Sequence, residues 1–67
     1  MTETQWNYSA QVQRWYWHKE DGKTLIVGNN GHEPLTYWFS VWKDGIAIAE
    51  GDELESIEEA KAAAEAV

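Results

Sequence analysis

The chain has 67 residues, no cysteine, one proline, five tryptophans and a formal net charge of −7. At that length folding buries only about 60% of the unfolded surface, and no disulfide or cysteine-built metal site can supplement the core. An apolar content of 43% with 13% aromatics excludes a disordered chain, so one small domain over residues 1–67 is expected, stabilised by aromatic packing or self-association.

Between Trp6 and His18, the positions Trp6, Tyr8, Ala10, Val12, Tyr16 and His18 share one parity, while Asn7, Ser9, Gln11 and Gln13 share the other. Period two with aromatic enrichment predicts a strand over residues 6–18. Near Arg14 the pattern changes, because Trp15 and Trp17 fall on the parity that had been polar. Either a β-bulge resets the register there, or two tryptophans stand on the second face. Asp21-Gly22 fits a two-residue type I′ turn, and residues 24–28 return as a second strand. In that register His18 faces Leu25, Tyr16 faces Val27 and Trp17 faces Ile26. The turn formers from Asn29 to Pro34 predict a loop.

A third strand is expected over residues 36–43 and a fourth over residues 46–50, joined by a second type I′ turn at Asp44-Gly45. Val41 then faces Ile48 and Ser40 faces Ala49. One face gathers Tyr37, Phe39, Val41, Ile46 and Ile48, and the other sets Trp38 and Trp42 over small residues. Ser56-Ile57-Glu58-Glu59 is a capping box that opens a helix over residues 57–66. Its Ile57, Ala60, Ala64 and Val67 trace one face, and Lys61 can point outward. The expected fold is α+β: an antiparallel sheet of about four strands, in two hairpins, with one C-terminal helix on one face.

A helix of about ten residues is roughly 15 Å long and covers one face of such a sheet, not both. Bulky apolar residues nevertheless occupy both parities. Either a strongly twisted sheet closes over itself so that both sets are core, or one face is left as an interface. A homodimer through the sheet is the plainest form of the second case.

Six of the seven net negative charges fall from Glu50 onward, where seven acids stand against Lys61 alone. A field of that sign repels phosphate backbones and favours a protein partner with a basic surface, so nucleic acid is not the expected partner. Single-stranded nucleic acid stacked on Trp15 and Trp17 with Arg14 and Lys19 is the rival reading; a structural subunit of a larger assembly is another.

No apolar run reaches the roughly 18 residues of a membrane span, and Met1 to Gln5 lacks the character of a signal peptide, so a cytoplasmic protein is expected. His18 and His32 are the chain's two histidines, but a metal site with Glu33 would need a distant pairing. Ser9, Ser40 and Ser56 have no evident base, and Asn29-Asn30-Gly31 lacks the spacing of a phosphate loop. The expectation is therefore no enzyme, no cofactor and no metal.

The stretch Tyr37-Trp38-Phe39-Ser40-Val41-Trp42-Lys43-Asp44-Gly45-Ile46-Ala47-Ile48-Ala49-Glu50-Gly51, followed by Ser56-Ile57-Glu58-Glu59-Ala60-Lys61-Ala62-Ala63-Ala64, resembles small phage and prophage proteins of unknown function. They share a strand, an Asp-Gly turn, a strand and a Glu-Glu-Ala helix. The outline also resembles the arm-type DNA-binding domain of phage integrases, whose sheet is basic where this chain is acidic, so DNA binding does not carry over. The resemblance implies a phage or prophage origin and, with the acidity, a protein that binds and blocks a host protein, as inhibitors and DNA mimics do. The residues expected to meet a partner are Trp15, Trp17, Trp38 and Trp42 on the sheet, with Asp52, Glu53, Glu55, Glu58 and Glu59 at the acidic end.

Overall fold

Period-two segments separated by turns build one antiparallel sheet. The computed structural model describes residues 6–31 and 33–67. Strands β1 (Asn7–Ser9), β2 (Arg14–His18), β3 (Lys23–Asn29), β4 (Tyr37–Lys43) and β5 (Ile46–Leu54) pair in the order β1-β2-β3-β4-β5, and helix α1 (Ile57–Glu65) follows. The fold is α+β with one helix, and the sheet has five strands rather than four. The extra strand comes from the segment where the parity reverses. Residues 10–13 form a turn, with Gln13 at φ 56°, that folds β1 back on β2 and sets Ser9 opposite Arg14. The expected long strand over residues 6–18 is thus a hairpin, closed by a residue in the left-handed region rather than by a bulge.

The β2–β3 connection corrects a second expectation. Lys19 N donates to Lys23 O at 2.7 Å and Gly22 N to Lys19 O at 3.2 Å, so the loop is the three residues Glu20, Asp21 and Gly22, with Gly22 at φ 94°. Asp-Gly serves this loop as well as the two-residue turn, because a three-residue loop also needs a left-handed residue, here at its end. The extra residue shifts the register by one, which moves every side chain of β2 to the opposite face. Trp15 therefore pairs with Val27, Tyr16 with Ile26, Trp17 with Leu25 and His18 with Thr24.

Asp44 and Gly45 both have positive φ, at 54° and 80°, as a two-residue type I′ turn requires. Lys43 faces Ile46 and Trp42 faces Ala47, the pairs that such a turn places next to itself. A bulge then intervenes, with Ala47 and Ile48 both opposite Trp42, so Val41 pairs with Ala49 and Ser40 with Glu50. Ile48 is thereby moved off the face of Val41, and Ala49 takes its place. A second bulge sets Asp52 and Glu53 opposite Trp38, with Glu53 at φ 61°.

The helix packs against β3, β4 and β5. Leu25, Val27 and Val41 from the sheet meet Ala60 and Ala64 from α1, and Trp6 joins them at 8% exposure. Trp15, Trp17, Tyr37, Phe39, Ala49, Leu54 and Ile57 surround that centre. Alanine at the helix contact lets the axis approach the sheet closely, so short side chains are buried completely. Ser56 is the N-cap, its Oγ accepting from Glu59 N at 3.1 Å. Lys61 does not point outward as expected. Its Nζ lies 3.6 Å from the centroid of Trp15 and 5.6 Å from that of Trp6. Val67 is exposed beyond the last turn, where its carbonyl accepts from Lys23 Nζ at 2.8 Å.

Candidate protein-interaction face

The register assigns each strand residue to a side. Row by row, the side away from α1 carries Arg14, Gly28 and Trp38; then Tyr16, Ile26, Ser40 and Glu50; then His18, Thr24 and Trp42 with Ile48. No described element packs over these rows, since α1 contacts the other side of β3, β4 and β5. Trp42 is 39% exposed and Ile48 46%. Both are larger than a solvated sheet face needs, and they lie next to each other at the bulge.

Trp38 is fixed by its backbone surroundings. A Cβ on Gly28 would lie 2.5 Å from Trp38 Cζ2, so the indole lies directly over the glycine. Its Nε1 donates to Asn29 O at 3.2 Å, and the Arg14 guanidinium sits 5.2 Å from the ring centroid. Arg14 reaches across the gap that Gly28 leaves, and the three residues make one platform over β2, β3 and β4. Asn30 organises the adjoining loop, its Nδ2 donating to Pro34 O at 3.1 Å and to Thr36 Oγ1 at 2.7 Å. Between this loop, β4 and the second bulge lies a hollow of about 740 Å³ lined by Trp38, Ser40, Glu50, Asp52 and Glu53 among others.

The nine residues singled out in the sequence separate into three places. Trp38 and Trp42 stand on the uncovered face. Trp15 and Trp17 do not join them: the one-residue register shift puts both on the helix side, half-buried. There Trp15 carries Lys61 and packs against Tyr8 at 4.8 Å, while Trp17 meets Trp6 edge-on at 5.6 Å and carries Lys19 at 5.4 Å. Asp52, Glu53, Glu55, Glu58 and Glu59 are all exposed and follow one another along the end of β5 and the first turn of α1. With Glu50 they form an acidic band that begins on the uncovered face and passes round the β5 edge. None of these six pairs with a cation among the described residues, where the one ion pair is Lys23–Asp21 at 4.0 Å. Tyr16 and Ile48 are face residues that the sequence reading assigned to the other side.

His18 Nδ1 lies 3.2 Å from Thr24 Oγ1. The pairing considered for it with His32, and the N-terminal segment Met1 to Gln5 weighed as a signal, lie outside the described residues. Among the described residues no group of three or more His, Cys, Asp or Glu is placed to hold a metal ion, and no helix is long and apolar enough to cross a membrane. Comparison of the chain with protein-family models, with curated proteins and with solved structures finds no match.

Proposed function

We propose that this chain is a non-enzymatic protein-binding module, whose uncovered sheet face is a protein interface and whose acidic band meets a basic surface on a protein partner. The observation that carries the reading is the one-sided sheet: α1 covers one face, and Tyr16, Ile26, Trp38, Trp42 and Ile48 occupy the other with no described element packed above them. Aromatic anchors at the centre with charge at the margin is the usual anatomy of a protein interface. An acidic module of this kind acts by occupying its partner's basic surface, as an inhibitor or a DNA mimic does, and the phage-like outline of its second hairpin and helix fits that role.

A single-stranded nucleic-acid platform built on Trp15 and Trp17 has less support. Both rings already carry cations of their own chain and pack on the helix side. The test is capture from nuclease-treated bacterial lysate on the immobilised chain, with Glu55→Lys/Glu58→Lys as the comparison. The expected result is a basic protein retained by the native sequence, released in moderate salt and lost with the charge-reversed variant. Retention of nucleic acid alone before nuclease treatment, with no protein afterwards, would reject the reading.

A further inference from the structure

We propose that the occupant of the uncovered face is a second copy of this chain, which leaves the two acidic bands of the dimer for the basic partner. The inference rests on the reading of that face as a protein interface, and it names what covers it.

The first ground is charge. The face carries opposite signs on strands either side of β3: Arg14 on β2, and Glu50 and Asp52 on β5. β3 is the middle strand of five. A two-fold axis parallel to the strands and above β3 sets β2 of each copy against β4 of the other. Arg14 then lies over Trp38 of the second copy and beside its Asp52, twice per dimer. A two-fold axis across the strands instead sets β5 against β5 and acid against acid. The face is self-complementary in one orientation only, as an isologous contact requires. In that orientation the strands of the two sheets run the same way, which suits aligned face-to-face packing about 10 Å apart.

The second ground is area. Strands of three, five, seven, seven and nine residues at about 3.3 Å per residue and about 4.8 Å apart make a face of roughly 490 Å² on each copy. The sum of roughly 980 Å² lies at the threshold of about 1,000 Å² for a specific interface, which places the contact among the weak ones. The helix lies on the far side of each sheet, so the acids of its first turn are separated by both sheets, beyond a Debye length of about 8 Å. Glu50 and Asp52 are the acids that remain near the contact, and each finds Arg14 of the other copy there.

Sedimentation equilibrium from micromolar to millimolar concentration tests the proposal. The expected result is a monomer–dimer equilibrium with a dissociation constant on the order of 100 μM. Trp42→Lys and Ile48→Lys, at exposed positions, should each weaken it at least tenfold with the far-ultraviolet circular dichroism unchanged. Arg14→Glu and Asp52→Arg should each be monomeric alone, and an equimolar mixture should regain the dimer, because both cross-copy contacts between positions 14 and 52 are then of opposite sign. A mixture cannot rescue a folding defect, so recovery reports the contact itself. A native chain that stays monomeric to millimolar concentration would overturn the second copy as occupant. Capture of the basic partner by Glu55 and Glu58 would still stand in that case, so the two readings fail separately. A dimer indifferent to Trp42→Lys and Ile48→Lys would place the contact elsewhere and overturn the proposal as well.

Discussion

Trp6 ties the start of the chain to its last helix by three different interactions. Its ring packs edge-on against Trp17, its Nε1 donates to Glu65 Oε2 at 2.8 Å, and Lys61 lies over it from the next turn of α1. Truncating a buried aromatic costs about 3–5 kcal/mol, comparable with the roughly 5 kcal/mol at the lower end of whole-domain stability. Trp6→Ala should therefore be largely unfolded at 25 °C by circular dichroism, while Trp6→Phe keeps most of the apolar contact and should fold with a lower midpoint. A cooperative native-like melt for Trp6→Ala would show that Trp6 is dispensable. Gly28 is as restrictive on the other face, since a methyl there would displace the Trp38 ring from both Asn29 O and Arg14. Gly28→Ala should cost about 1–3 kcal/mol in a urea titration and shift tryptophan emission; an unchanged spectrum would mean the ring does not sit over the glycine. At the β2–β3 hairpin, the Lys23 amide donates to Asp21 Oδ1 at 3.1 Å, and this bond, aided by the nearby Lys23 charge, holds the Asp21 carboxyl below its ordinary value of 3.8. A depressed folded value stabilises the turn above the unfolded pKa and is lost as pH falls through the folded one. In an NMR titration the Lys23 amide shift should accordingly move with a midpoint below 3.8, and a midpoint above it would contradict the bond. The apolar character of Trp6 was legible from its parity with Tyr8. Its partnership with Glu65 was not, because nothing local couples residues 59 positions apart.

The elements divide by how much of their geometry is decided within a few residues. The Ser56 N-cap and the Asp44-Gly45 turn were legible because their signals are complete in the sequence: a hydroxyl three residues before Glu59, and two residues suited to positive φ between two apolar runs. Ser56→Ala should cost about 1 kcal/mol in a urea titration, with Ser56→Asp close to neutral; an equal loss for both would point to packing rather than capping at this position. The β2–β3 hairpin was legible as a hairpin but not in register, since Asp21-Gly22 is consistent with loops of two and of three residues. That ambiguity decided which tryptophans face out, so half of the expected sheet site moved to the helix side. The turn before β2 carried no glycine, proline or asparagine to announce it, and the two β5 bulges, which lie opposite Trp42 and Trp38, are set by pairing with another strand and leave no local signal. Deleting Glu20 offers a direct check on register, because it leaves Asp21-Gly22 as a two-residue loop that still sets Lys19 opposite Lys23. Trp17 then stays opposite Leu25 and Trp15 opposite Val27, so no side chain of β2 changes face. The deletion should keep a cooperative melt, and loss of cooperative unfolding would mean that the pairing depends on the third loop residue.

Across the whole molecule, the charge and the apolar surface are arranged against one another. The body up to Ala49 carries a net −1 and the remainder −6. The acids of α1 are locally favourable, because Glu58 and Glu59 stand at the positive end of the helix macrodipole. Collectively they are unfavourable, since Glu50, Asp52, Glu53 and Glu55 follow one another into the same turn with no cation among the described residues to offset them. Lys61, the one base of this segment, is turned away to Trp15. The native state should thus be strained by its own field at low ionic strength. Salt should relieve that strain, because the Debye length falls from about 30 Å at 0.01 M to about 8 Å at 0.15 M. At a protein concentration too low for association, the thermal midpoint should rise between these two conditions, by about 4–8 °C for each kcal/mol of repulsion removed. Glu55→Gln should reproduce part of that rise at low salt and add little at 0.15 M, since Glu55 lies before the helix and forms no cap. A midpoint independent of salt would mean that the acids do not interact through the fold. The band would then have no energetic cost to the monomer, and the argument that it is kept for a basic partner would lose its physical basis.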